Sequence, residues 1–158
     1  MIDERGAGFF RRSPRNLLFP DDIVRLLADI AAIGADESAF RFNQGPRTSC
    51  DDCDRCIYVR GDVYADDSSP HPRARMSERA VLAHEYYGHL AFAPSVFQAN
   101  DWRDEFRASY FAAVNTPNLT DEDRIFLILD AYERAREHGI QVTYNKKARE
   151  ILGFDWND

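Results

Sequence analysis

The chain has 158 residues and a mass of 18.2 kDa, a size suited to one domain around one core. Hydrophobic residues make up 44% and charged residues 30%, the balance of a folded protein rather than a disordered one. Lys and Arg total 20 against 27 Asp and Glu, and the net charge of −7 argues against a phosphate-binding surface for nucleic acid.

The basic residues Arg5, Arg11, Arg12 and Arg15 cluster in an irregular N-terminal arm over residues 1–19. Such a cluster reads as a solvated or partner-docking arm rather than a nucleic-acid grip. The polar opening MIDERGAGFFRRS has no signal-peptide stretch, and no apolar run approaches the roughly 20 residues that span a bilayer. The expectation is a cytoplasmic chain with no membrane partner. Leu17, Leu18 and Phe19 end the arm and are expected to pack on the body, a single domain over residues 20–158.

Pro20, Asp21 and Asp22 start a helix, because acidic groups suit the positive end of a helix dipole. Ile23, Leu26, Leu27, Ile30 and Ile33 recur at helical spacing until Gly34 stops them. Phe40-Arg41-Phe42 alternates like a strand; after the turn-rich stretch Asn43 to Arg55, Ile57-Tyr58-Val59 and Val63-Tyr64 continue as β. Asp66 to Arg75, with Pro70 and Pro72, reads as a loop. Ser77 caps the next helix, which carries Val81 and Leu82 and breaks at Pro94.

A further helix runs from about Asp101 to Val114, with Asp101 and Asp104 in a capping-box relation. Thr116-Pro117-Asn118 is a loop, and Thr120 with Asp123 repeats the capping pattern. Ile125 to Ala135 is a strongly apolar helix closed by Gly139, and a last short helix covers Lys146 to Leu152. The predicted fold is α+β, a small antiparallel sheet packed on a mostly helical second half.

His84-Glu85-Tyr86-Tyr87-Gly88-His89 carries the chemistry. Zinc-peptidase helices usually read HExxH, because residues i and i+4 share a face and both imidazoles reach one ion. Here the second histidine arrives one residue late. Five residues of regular helix would leave the two rings about 140° apart. A π-type widening of one residue would bring His89 back to the face of His84, and Gly88 eases that distortion.

This hexapeptide resembles the HELLGH motif of the dipeptidyl peptidase III family, zinc peptidases with the same lengthened spacing. Asp104-Glu105-Phe106-Arg107-Ala108-Ser109 is similar to that family's EECRAE motif, whose second glutamate is the third zinc ligand. The resemblance implies that Glu105 is a ligand, while Ser109 replaces the final glutamate. It covers two hexapeptides of 158 residues, too short a chain for that family's whole fold, and so implies a shared site geometry. The surrounding sequence also looks like the compact zincin-like metallopeptidase domains of bacterial polymorphic toxins and phage-associated proteins. That likeness implies a zincin-like fold and an effector role. It further implies an inhibitor or immunity protein as partner, and delivery to another cell within a longer carrier.

The residues support the ligand set on their own. Catalytic zinc takes three protein ligands and keeps one position open, and two His with one Glu is a known set. His84, His89 and Glu105 fill it, with Asp101 and Asp104 reserved for capping. Glu85 is placed as general base to take a proton from the attacking water. Ala108, Ser109 and Ala112 are small, letting their helix approach closely. The preceding strands would offer a sheet edge to a peptide or protein substrate. The reading is a zinc-dependent peptidase; the alternative is a catalytically inactive, metal-stabilised interaction module.

Cys50, Cys53 and Cys56 have CxxC spacing twice. They read as free thiols in a hairpin, as a second zinc site completed by His71 or an aspartate, or as a redox pair. Tyr86, Tyr87, Tyr110 and Tyr144 are packing residues or oxyanion donors. Arg107 pairs with Asp104 or with a substrate carboxylate, and His138 suits the negative end of its helix.

Overall fold

A computed structural model describes residues 13–92 and 101–154. Arg5, Arg11, Arg12 and the break at Pro94 lie outside those residues. Among the described residues the fold is α+β, with six α-helices and one three-stranded sheet.

Helix α1 (Pro20–Ala32) begins as its acidic start implies, the Asp22 carboxylate accepting from the Phe19 N–H at 2.7 Å. It buries Leu26 and Ile30, and Gly34 ends it with φ +71°. Of the three apolar residues before it only Leu18 packs inward, whereas Leu17 and Phe19 are 52% and 65% exposed. Leu18 is held through its backbone, which exchanges two hydrogen bonds with the Asn43 amide.

Strands β1 (Phe40–Phe42), β2 (Ser49–Asp51) and β3 (Cys56–Val59) lie in the order β1-β3-β2. The sheet is mixed rather than antiparallel: β3 is antiparallel to β2 and parallel to β1. The chain reverses after β1 through Asn43 at φ 59° and Gly45 at φ 72°, leaving room for β3 to enter between. A Cβ on Gly45 would stand 2.6 Å from the Tyr58 ring, so that turn needs glycine. Val63 belongs to a 3-10 turn over Gly61–Val63, not to a strand, and Pro72–Arg75 forms the short helix α2 inside the expected loop.

Ser77 caps α3 (Glu78–Ala83), accepting from the Ala80 N–H. The chain then runs into a π-helical segment, His84–His89. Helix α4 (Trp102–Asn115) lies against that segment and against α5 (Asp121–Glu137), while α6 (Lys146–Leu152) packs on α5. Thr120 and Asp123 form the expected capping box of α5. Asp101 caps α4, but Asp104 does not share the task, for its carboxylate is buried against other groups. Leu26, Ile30, Ile33, Ile57, Val59, Leu82, Leu127 and Ile128 form one continuous core. Among the described residues no helix is long and apolar enough to cross a membrane.

Candidate metal centre

The widened turn sets the site. The Leu90 N–H bonds the Glu85 carbonyl, an i to i−5 bond, so one extra residue fits between the histidines. His84 is buried, His89 and Glu105 are half-buried, and the two imidazole rings meet edge to face with centroids 4.8 Å apart. Gly88 has a second role that its sequence context does not reveal. A Cβ there would lie 2.6 Å from the Ala108 carbonyl oxygen and 2.7 Å from the Ala108 Cβ. Glycine on one element and alanine on the other let α4 come close enough to deliver Glu105.

His84 Nε2 stands 3.0 Å from Glu105 Oε2 and 3.1 Å from His89 Nε2, and His89 Nε2 stands 3.3 Å from the same carboxylate oxygen. Ligands at ordinary zinc distances in a tetrahedral set lie about 3.3 Å from one another. The three sequence-predicted ligands therefore share one point, with the spacing a single ion would impose. Other divalent metals accept the same donor set, so the geometry fits a metal without naming zinc.

Each candidate ligand is held from behind. His84 Nδ1 lies 2.7 Å from Ser109 Oγ, and Ser109 Oγ donates to Asp130 Oδ2 at 2.5 Å. Asp130 is fully buried and takes Arg73 Nε at 3.0 Å and Arg134 Nε at 2.9 Å. Burial raises the Asp130 pKa, but Arg134 and Arg73 outweigh it and hold the carboxyl below its usual range. His89 Nδ1 meets Asp104 Oδ2 at 3.3 Å, and Arg107 completes that pair at 2.8 Å. Arg134 Nη1 also reaches Glu105 Oε2 at 3.4 Å. Burial disfavours charge on both Glu105 and His89. Their mutual attraction prevails, with Arg134 aiding Glu105 and Asp104 aiding His89, lowering the acid's pKa and raising the base's.

Glu85 is half-buried, close enough to His84, His89 and Glu105 to feel their charge. Burial raises its pKa, opposed by His84 and His89 and reinforced by Glu105. A carboxylate raised in this direction is a better proton acceptor than an ordinary surface glutamate.

The remaining candidates resolve into structure. Cys50 and Cys56 sit on β2 and β3, with Cys53 in the turn between them. Cys50 opposes Ile57 and Cys56 opposes Asp51, so Cys50 and Cys56 project to opposite faces of the hairpin. Burial, then Glu85, push the Cys50 thiol up to about 12, which keeps it protonated. This is the free-thiol hairpin.

His71 caps α2, its Nδ1 accepting from the Arg73 N–H at 3.2 Å. That places the ring proton on Nε2, which donates to Glu137 at 3.1 Å. Although Glu133 is also near, His71 turns no lone pair toward these carboxylates.

Tyr87 donates to the Ile33 carbonyl, Tyr110 accepts from Asn145, Tyr86 stacks on Phe40 and Tyr144 packs on Tyr132. Arg107 makes the structural pair with Asp104. His138 lies against the Arg134 carbonyl near the end of α5.

Comparison with protein-family models, with curated proteins and with solved structures finds no match. The site therefore rests on its own geometry. Sequence reasoning missed Asp130, Arg134 and Arg73 as parts of it. A signal was present: Asp130 and Arg134, four apart, interrupt the apolar face of α5 formed by Leu127, Ile128 and Ala131.

Proposed function

We propose that the protein is a zinc-dependent peptidase in which His84, His89 and Glu105 hold the ion and Glu85 is the general base. The convergence of His84 Nε2, His89 Nε2 and Glu105 Oε2 within 3.0–3.3 Å supports this reading. A zinc ion bound there supplies a Lewis acid that lowers the pKa of a water and polarises a carbonyl. Glu85 accepts the proton of the attacking water and returns it to the leaving amine, a role its raised pKa favours. Asp104 and Ser109 keep the imidazoles oriented, and Arg134 keeps Glu105 charged.

The substrate path follows from the sheet. Strand β2 is one of the two edge strands of the sheet, pairing among the described residues with β3, and it packs beside the π-helical segment. Arg55, in the turn between β2 and β3, donates to the Leu90 carbonyl and ties this hairpin to the chain just after His89. An extended peptide adding to β2 would run alongside the ligands and Glu85.

The test is Glu85→Gln against the wild type. Zinc content should stay at one equivalent while cleavage of an unfolded protein substrate falls about 10²–10⁴-fold. Wild type without zinc, or a variant that still cleaves, overturns the reading.

A further inference from the structure

We propose that Asp130, acting through Ser109 Oγ, is the positioning residue that fixes the ring proton of His84 on Nδ1 and so turns its Nε2 lone pair into the site. The purpose of that arrangement rests on the metal reading above, but the proton on Nδ1 does not.

The proton count decides the direction. Ser109 is fully buried, and its hydroxyl carries a single proton between two polar neighbours, His84 Nδ1 and Asp130 Oδ2. Asp130 is enclosed with two guanidiniums, Arg73 on Oδ1 and Arg134 on Oδ2. A carboxylate so paired only accepts hydrogen bonds. The serine proton therefore goes to Asp130, and the serine oxygen must accept from an N–H at His84 Nδ1. With its Nδ1 proton held there, the ring turns Nε2 toward His89 and Glu105, the side from which a metal would take its lone pair.

The relay is built from two helix faces. Helix α4 supplies Glu105 and Ser109, four residues apart, so one face brings both a ligand and the group behind another ligand. Helix α5 supplies Asp130 and Arg134, also four apart, and Arg134 touches both Asp130 and Glu105. His89 is served differently, by the Asp104 carboxylate directly. The two imidazoles thus have separate supports, and each can be removed alone.

The experiment reads the ring nitrogens by ¹⁵N NMR in metal-free and zinc-loaded protein. Zinc affinity is measured beside it, by competition with a chromophoric chelator. In the wild type His84 should show a protonated Nδ1 in both, with Nε2 coordinated once zinc is bound. In Asp130→Asn the new amide can donate to Ser109, whose proton then turns to His84 Nδ1. The ring proton should move to Nε2, and zinc affinity should fall about 10–100-fold. Asp130→Asn also leaves Arg73 and Arg134 without their counter-charge and can unfold the protein. Ser109→Ala keeps that ion cluster, so it decides the matter: a mixed tautomer and weakened zinc binding are expected.

A wild-type His84 without a proton on Nδ1 overturns the proposal. So does a folded Ser109→Ala with unchanged ring signals and zinc affinity within twofold of wild type. A wild type that binds no zinc yet shows the Nδ1 proton, lost in Ser109→Ala, sustains the relay while removing the metal reading.

Discussion

His84 Nε2 and His89 Nε2 lie 3.1 Å apart although five residues of helix separate them. In a regular α-helix they would diverge by about 140°. The π-helical turn closes that angle, and Gly88 within it receives the backbone of Ala108 from α4. The widened turn and the close helix contact are one feature, because both are needed before Glu105 can reach the histidines.

Gly88→Ala tests that coupling. The new Cβ would stand 2.6 Å from the Ala108 carbonyl oxygen, and backbone cannot yield as a side chain does. Overpacking of this kind costs about 1–3 kcal/mol. The expected result is a lower denaturation midpoint together with weakened zinc binding, since relief requires α4 to retreat with Glu105. Unchanged stability and unchanged zinc affinity would show that the contact is not required.

The meeting of His84 and His89 was legible in the sequence because a widened HExxH spacing constrains where the second histidine must go. The π-helix followed from the same arithmetic. Most element positions were legible too: α5 carries its capping box and closing glycine at the expected places, and α6 spans the expected Lys146–Leu152. The sheet was not. Strand direction depends on where β3 inserts, which no local pattern encodes, and Val63 alternates like a strand while folding as a 3-10 turn. Asp104 was misread as a cap because capping and histidine orientation use the same residue type. Only tertiary contact separates them.

Metal removal should cost stability as well as activity. The proposed ligands come from the π-helical segment and α4, so an ion there would tie together two elements separated in sequence. Free zinc at 100 times its Kd would stabilise the fold by about 2.7 kcal/mol. Thermal unfolding should therefore shift down when a chelator is added and return with zinc, and His89→Ala should lose that response. A wild-type Tm indifferent to chelator would contradict a zinc-linked fold.

The Arg73–Asp130 pair should matter far more than a surface pair of similar length. Arg73 and Asp130 side chains are 8% and 0% exposed, and their contact is 3.0 Å. Removing one partner of a buried pair typically costs about 3–5 kcal/mol. Arg103 with Asp101 meets at 2.9 Å, but Arg103 is 54% exposed, and such pairs contribute about 0–1 kcal/mol. Chemical denaturation of Arg73→Met and Arg103→Met should separate the two by several-fold. Equal effects would mean that Asp130 is adequately held by Arg134 and Ser109 alone.

The acid limb of stability should carry the signature of Asp22. Its carboxylate accepts from Arg15 at 2.5 Å and the Phe19 N–H at 2.7 Å, and also from Arg25 at 2.7 Å and the Tyr64 hydroxyl at 3.0 Å. Arg15 above all, then the Phe19 N–H, lower its pKa, with burial opposing. The unfolded chain titrates aspartate at about 3.9, and with these contacts the folded state holds the group ionised to lower pH. A lowered folded pKa contributes stability that is complete above the unfolded value and disappears as pH falls toward the folded one. Asp22→Asn should thus be less stable than wild type by a constant margin between about pH 5 and pH 8. That margin should shrink below about pH 4, where the unfolded wild type takes up a proton that the folded chain still refuses and that asparagine never binds. Urea midpoints measured for both proteins across this range supply the check. A margin that stays constant or widens toward pH 3 would mean that Asp22 is not ionised against Arg15 in the folded chain.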